Sequence, residues 1–195
     1  KENDFFYFED EFGGIKLPKP NLLGAFQLEN VSTAIATARQ LKDYKITDEH
    51  IKSGITKIES VARLQEIKSG KLKDLVKNNT LFLDGSHNPL GASVLNQHLQ
   101  SLNCKKHVIL GMMANKDHNE YINYFTGIET LTTIDIPNQP NAIKGKDLKK
   151  KINNFSKIEY KDSLENAISS IKIQKNDIIL ITGSLYLAGE VLNLN

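Results

Sequence analysis

Leu81-Phe82-Leu83-Asp84-Gly85-Ser86-His87-Asn88-Pro89, running on into Leu90-Gly91-Ala92-Ser93-Val94-Leu95-Asn96-Gln97-His98-Leu99, is the stretch that decides how this chain is read. It opens as a short apolar run of strand length and closes with the periodicity of an amphipathic helix. Between the two lies a turn of small and polar residues. Pro89 suits the first helical position, where its missing N–H costs nothing, and Asn88 before it is a competent N-cap. A strand, a tight turn and a helix N-terminus together present free backbone N–H groups to an anion. Asp84, Ser86, His87 and Asn88 all fall on that turn, so any ligand is expected there.

Downstream the rhythm repeats. Strands are expected at 81–84, 107–112, 131–136, 158–160 and 177–182, and helices at 89–101, 117–126, 145–155, 163–172 and 185–193. Apolar strands alternating with helices of this length predict a doubly wound, Rossmann-like α/β fold: a mostly parallel sheet with helices on both faces. In such sheets ligands sit at the carboxyl ends of strands, near a switch in strand order. Three polar stretches obey that rule: 84–88, Gly111-Met112-Met113-Ala114-Asn115-Lys116-Asp117, and Thr182-Gly183-Ser184-Leu185-Tyr186.

Upstream the pattern differs. Phe5-Phe6-Tyr7-Phe8 and Ile15-Lys16-Leu17 flank Gly13-Gly14 and read as a hairpin ended by Pro18 and Pro20. A helix over 22–41 is expected to place Leu28, Val31, Ala34, Ile35, Ala38 and Leu41 on one face. A second helix runs over 48–58, with Thr47 as N-cap. Residues 59–66 read as a crossing segment. Strands and a helix pair in roughly sixty residues make a poor domain alone. The division is therefore 1–60, the tail of a larger domain, and 61–195. A chain that opens on Lys1 in aromatic-rich sequence agrees with a fragment.

Composition excludes several classes. A formal net charge of +2 on 195 residues argues for neither nucleic acid nor a membrane surface as partner. No apolar run is long enough to span a bilayer, and no signal peptide opens the chain. Cys104 is the only cysteine, which removes an internal disulfide and a Cys-rich metal site and makes a reducing cytoplasm the natural compartment. A Rossmann Gly-x-Gly-x-x-Gly, a Walker phosphate loop and a nucleophile elbow are all absent from the sequence, and the five histidines lack metal-binding spacing.

Each candidate residue has a functional and a plain reading. Asp84 accepts two ribose hydroxyls, or, more commonly for such a carboxylate, satisfies backbone N–H groups of its own turn. His87 bonds a phosphate or ribose, or is simply exposed. Arg63, in the crossing segment, reaches a terminal phosphate with its planar, permanently charged fork, or is a surface arginine. Lys116 and Asp117 read better as a solvated loop pair than as a site pair. Ser184 and Tyr186 cap a helix, the slightly better reading, or bind a substrate carboxylate.

Taken together, five stretches carry more than any one residue: Leu23-Gly24-Ala25-Phe26-Gln27-Leu28-Glu29-Asn30, Ala62-Arg63-Leu64-Gln65, Leu83 to Pro89, Leu110 to Asp117, and Thr182 to Glu190. In order and spacing the chain resembles the C-terminal part of the folylpolyglutamate synthase and dihydrofolate synthase family, in the Mur ligase superfamily. The resemblance implies that 61–195 is a Mur ligase C-terminal domain and 1–60 the end of the central ATP-binding domain. It implies an ATP-dependent amide ligase. A folate or dihydropteroate carboxylate is phosphorylated, the amino group of glutamate attacks the acyl phosphate, and phosphate leaves. By the family's pattern Asn30, Arg63 and Asp84 contact ATP and His87 lies beside it, so that one nucleotide bridges both domains. Ser184 and Tyr186 are assigned to glutamate.

The departures have consequences. The family's phosphate loop and magnesium ligands belong to its N-terminal domain, and nothing here matches them. Phe26 stands where a His commonly precedes the Gln, and Ala62 where a Gly commonly precedes the Arg. The expectation is a ligase part that is inactive unless joined by an N-terminal half, if need be in trans. The alternative is a non-catalytic split-gene fragment that folds and at most binds nucleotide weakly.

Overall fold

The computed structural model describes residues 4–24, 26–155 and 157–195, so Ala25 of the first resemblance stretch lies outside the described residues. The chain divides into two compact units, Lys1–Val61 and Ala62–Asn195.

In the first unit, strands β1 (Phe5–Asp10) and β2 (Gly13–Pro18) form the expected antiparallel hairpin. The reversal falls at Glu11-Phe12 rather than at the glycines, because Asp10 pairs with Gly13 and Glu9 with Gly14. Asp10 Oδ1 accepts the Phe12 N–H at 2.9 Å and so closes the turn. The exposed Tyr7 ring lies across Gly14, where a Cβ would stand 1.7 Å from its hydroxyl and turn that ring aside.

Helix α1 (Gln27–Gln40) starts later than its periodicity suggests, and α2 (Asp48–Thr56) carries the Thr47 cap in a full capping box with His50. The inward stripe of α1 is narrower than expected. Val31 and Ile35 pack with Phe8, Ile15, Leu17, Ile51 and Ile55, while Ala34 and Leu41 are exposed. Arg39 ties helix to hairpin: Nη1 donates to Asp10 Oδ1 at 2.7 Å and to the Gly13 carbonyl at 2.9 Å.

In the second unit the apolar runs alternate between two helical layers. Its strands are β3 (Gln65–Ile67), β4 (Thr80–Leu83), β5 (Lys106–Leu110), β6 (Thr130–Ile134), β7 (Ile158–Lys161) and β8 (Ile178–Thr182). Its helices are α3 (Lys71–Val76), α4 (Pro89–Gln100), α5 (His118–Asn123), α6 (Gly145–Lys151), α7 (Leu164–Ser170) and α8 (Leu185–Leu194). The sheet order is β3-β4-β8-β5-β6-β7, parallel except for β3, which runs antiparallel to β4 along one edge.

Successive side chains of a strand point to opposite faces. Leu81, Leu83, Ile109, Ile179 and Ile181 therefore meet α3, α7 and α8 through Leu72, Val76, Leu164, Ile168, Leu187 and Val191. Phe82, Val108, Leu110 and Leu180 meet α4, α5 and α6 through Leu95, Leu99, Tyr121, Ile122 and Leu148. Right-handed crossovers account for the division. β4, β5 and β6 advance across the sheet in one direction, and the chain returns from β7 to β8, which inserts between β4 and β5. The chain thus leaves β4 for a helix on one face and leaves its neighbour β8 for a helix on the other. No helix among the described residues is long and apolar enough to cross a membrane.

Two elements were not expected. β3 lies in the segment read as a crossing connector, and α3 follows it.

Candidate functional site

Where α4 and α8 part to opposite faces, three strand ends converge. Asp84 N–H donates to the Ile181 carbonyl at 3.0 Å, Gly183 N–H to the Ser86 carbonyl at 3.1 Å, and Gly111 N–H to the Thr182 carbonyl at 3.2 Å. Gly183 has φ +108, and a Cβ on it would lie 2.7 Å from the Gly111 carbonyl, so only glycine fits. Below this floor Tyr121 is fully buried, its hydroxyl 3.2 Å from Ser86 Oγ and 2.8 Å from Thr182 Oγ1. Burial raises the Tyr121 pKa far above its ordinary value, so it stays a neutral donor joining the β4 and β8 turns.

Above the floor opens a cleft of about 710 Å³, walled by His87, Lys116, Asn141, Ser184 and Tyr186 among others. Asn88 accepts the Gly91 N–H at 2.8 Å with Pro89 at the first helical position, which fixes the turn that carries His87. His87 Nδ1 lies 3.0 Å from the Gly85 carbonyl; a carbonyl only accepts, so Nδ1 carries the hydrogen and Nε2 is left for a ligand. Ser184 is 2% exposed and caps α8, its Oγ accepting the Tyr186 N–H at 3.1 Å. The capping reading is thus realised, and the same cap aims the N-terminus of α8 at the cleft. Tyr186 is 55% exposed.

Asp117 caps α5 by accepting the Glu120 N–H at 2.9 Å, whereas Lys116 faces the cleft. Asp117 is an exposed helix cap, and Lys116 lies on the cleft wall. Asn141 belongs to a loop with no strand-end motif of its own. It is held there because the Ala114 N–H donates to its carbonyl at 2.9 Å.

Asp84 is 5% exposed and both its oxygens are engaged: Oδ1 accepts the Ser86 N–H at 2.8 Å and Oδ2 the Leu64 N–H at 2.7 Å. The plain reading of Asp84 as a turn carboxylate is realised, with a long-range partner added. Gly85 N–H donates to the Ala62 carbonyl at 2.8 Å. Arg63, between Ala62 and Leu64, is exposed and makes no hydrogen bond or ion pair among the described residues. Asn30 lies on α1 of the first unit, exposed, with Nδ2 donating to Gln27 Oε1 at 3.0 Å.

A second cavity, of about 400 Å³, lies at the opposite, amino ends of β5 and β6. None of its lining residues comes from the three strand-end stretches. Its buried His107 is occupied by Thr130 Oγ1 at 2.8 Å and Asp177 Oδ2 at 3.3 Å. The carboxyl-end cleft is therefore taken as the candidate site. Among the described residues no three His, Cys, Asp or Glu side chains come together as a metal-binding group.

These features define a doubly wound α/β domain whose candidate site lies at the switch between two helical layers. The model of the Mur ligase, glutamate ligase domain matches residues 62–185, and the chain belongs to that family. Folylpolyglutamate synthase of Lacticaseibacillus casei is 28% identical over 191 residues, 95% of this chain and 42% of that protein. Dihydrofolate synthase/folylpolyglutamate synthase of Bacillus subtilis is 28% identical over 184 residues, 89% of this chain and 40% of that protein. The chain thus spans about two fifths of the length of these relatives. In fold it is similar to Mycobacterium tuberculosis folylpolyglutamate synthase complexed with ADP and AMPPCP (TM-score 0.76, 18% identity, covering 99% of this chain and 48% of that one). It is equally similar to E. coli FolC in complex with DHPP and ADP (TM-score 0.77, 19% identity, covering 98% and 44%).

Proposed function

We propose that this chain is the glutamate-handling C-terminal part of an ATP-dependent amide ligase of the folylpolyglutamate and dihydrofolate synthase type. The observation that carries this reading is the carboxyl-end cleft, where Lys116, His87 and the capped N-terminus of α8 surround a space of about 710 Å³. A lysine ammonium and a helix N-terminus both favour a carboxylate. In this reading Lys116 and the N–H groups behind Ser184 hold a carboxylate of glutamate, and Tyr186 orients the rest of the molecule. ATP, when bound, supplies the phosphoryl group that activates the folate or dihydropteroate carboxylate for attack by the glutamate amine. In this reading Arg63 and Asp84 of the second unit contact the nucleotide and His87 lies beside it. The magnesium and triphosphate sites belong to the portion of the relatives that this chain does not span, and the cytoplasm is the compartment the reading implies.

The exposed apolar side chains of the first unit (Phe5, Tyr7, Phe12, Leu23, Tyr44 and Ile46) support its being part of a larger ATP-binding domain. An NMR titration tests the cleft. L-Glutamate added to the ¹⁵N-labelled chain is expected to shift the amides of His87, Lys116, Ser184 and Tyr186 more than D-glutamate or L-glutamine does. Equal shifts with all three, or shifts centred on the amino-end cavity, overturn the assignment. Retained glutamate binding with no ligase activity after joining to an N-terminal half favours the non-catalytic fragment.

A further inference from the structure

The cavity of about 400 Å³ at the amino ends of β5 and β6 has no part in the glutamate reading. Its floor is one face of the sheet. His107 pairs in register with Thr130 and Thr132 with Glu159, and Thr130 and Thr132 are two apart, so all four point the same way. That face is covered by α7, but α7 ends at Ser170, and the cavity opens where Ile171 and Lys172 leave it. The floor is polar and incompletely paired. Thr132 is 3% exposed, and its hydroxyl has no hydrogen-bond partner among the described residues. No side-chain N or O atom sealed from solvent lacks a partner among those residues, so the Thr132 hydroxyl is open to the cavity it lines. His107 Nε2 faces Asp177 Oδ2 at 3.3 Å; the carboxylate only accepts, so Nε2 carries a hydrogen, and in the neutral ring Nδ1 accepts the Thr130 hydroxyl at 2.8 Å. Thr130 Oγ1 keeps lone pairs to offer. At the mouth the charges do not cancel. Glu129 is met by Lys105 at 3.5 Å and Glu159 by Lys161 at 3.0 Å. Lys157, ahead of β7, and Lys172, after α7, line the same space, are exposed, and join no ion pair among the described residues.

We propose that this cavity binds a small phosphate monoester carried on a hydroxylated carbon chain, as a site separate from the carboxyl-end cleft. A phosphate monoester carries a charge of about −1.5 to −2 near pH 7 and three acceptor oxygens. Lys157 and Lys172 supply two cations for it, and Thr132 supplies a buried donor. A single carboxylate would leave one lysine unmatched. Thr130 Oγ1 and the Glu159 carboxylate accept from the hydroxyl groups of the chain. No Phe, Tyr or Trp lines the cavity, so a nucleobase has no ring to stack on. The space is at the low end of the ~300–1,000 Å³ of ligand pockets, which suits a small molecule. The site stands or falls independently of glutamate at the cleft, because it lies at the other end of the strands.

The test titrates the whole 195-residue chain, ¹⁵N-labelled, with glycerol 3-phosphate, inorganic phosphate and acetate at matched ionic strength. Glycerol 3-phosphate is expected to shift the amides of Thr130, Thr132, Ile158 and Lys172 and to saturate with a Kd below about 1 mM, leaving the amides of His87 and Ser184 in place. Inorganic phosphate should shift the same amides more weakly, because it lacks the hydroxylated chain; equal affinity overturns that part of the assignment. Acetate should leave them unmoved. Lys157→Ala and Lys172→Ala, both at exposed positions, should each weaken binding about tenfold, the effect of one charge-assisted hydrogen bond. Lys175→Ala, an exposed lysine outside the lining, should leave affinity unchanged. Thr132→Val keeps the shape and removes the donor, and should also weaken binding; where it loosens the fold, seen as faster exchange of the β8 amides, the lysine variants decide. Shifts that do not saturate, shifts that acetate reproduces, or a loss with Lys175→Ala equal to that with Lys157→Ala and Lys172→Ala overturns the site.

Discussion

Tyr121→Phe is the sharpest perturbation of the floor beneath the cleft. It removes one oxygen and leaves the ring in place against Phe125. The lost hydroxyl bridges Ser86 Oγ and Thr182 Oγ1, which are 8% and 1% exposed as residues and have no other side-chain partner among the described residues. Each buried group left unpaired costs about 1–3 kcal/mol, and rotation of the two small hydroxyls recovers part of that, so the net loss should be about 2–4 kcal/mol. For a chain of this size that is a fall of about 5–15 °C in Tm. Because the two units need not unfold together, the assay is native-state hydrogen exchange of the β8 amides, which reports the second unit directly. Replacing the orphaned partners by apolar isosteres, as in the Tyr121→Phe/Thr182→Val/Ser86→Ala variant, should recover most of the loss, since removing every partner of a buried bond is far cheaper than removing one. A Tyr121→Phe change below about 0.5 kcal/mol, or a triple variant worse than the single one, refutes the bridge.

Ala62→Gly should stabilise the second unit by about 0.5–1 kcal/mol, because it removes the Cβ from a left-handed residue; a thermal melt showing any loss contradicts this. Arg39→Ala should destabilise the first unit by about 2–3 kcal/mol, because it leaves Asp10, at 10% side-chain exposure, without its cation. The measurement is faster exchange of the β1 and β2 amides with β8 unaffected. Burial holds the pKa values of His98 and His118 below their ordinary 6.5. The unfolded chain therefore takes up protons at higher pH than the folded one. Stability should be undiminished by these groups above pH 6.5 and fall as pH drops below it through their folded-state values. His98→Gln should flatten part of that fall in urea titrations between pH 7 and pH 5.

Much of the fold was legible because its strands are continuous apolar runs. Every residue of β5 and β8 is buried, which is what a strand covered by helices on both faces requires. The N-caps Thr47, Asn88, Asp117, Ser163 and Ser184 mark helix starts by their chemistry. β3 was not legible: three residues, Gln65-Glu66-Ile67, show no period, and edge pairing with β4 makes them a strand. The six-residue α3 was too short to carry a helical stripe. In the hairpin Gly13-Gly14 imitates a turn, but both glycines pair within β2 and the reversal falls at Glu11-Phe12.

At the candidate site, the position of His87, Ser184 and Tyr186 on the cleft wall was legible because they follow strands. The partner of Asp84 could not, since Leu64 lies twenty residues away and donates only its backbone. The departure at Ala62 was visible as a missing glycine, and its meaning came only with its φ of 55.

By the proposed function, the cleft of Lys116, Ser184 and Tyr186 serves glutamate in an amide-forming reaction. The most direct test fuses this chain to the amino-terminal portion of the Lacticaseibacillus casei relative that lies outside the match, and follows phosphate release from ATP with a folate acceptor. Release that depends on L-glutamate is expected, with a Lys116→Ala fusion whose KM for glutamate rises about tenfold while the KM for ATP is unchanged. A folded fusion whose phosphate release ignores glutamate, or a Lys116→Ala change that moves only the KM for ATP, would contradict it.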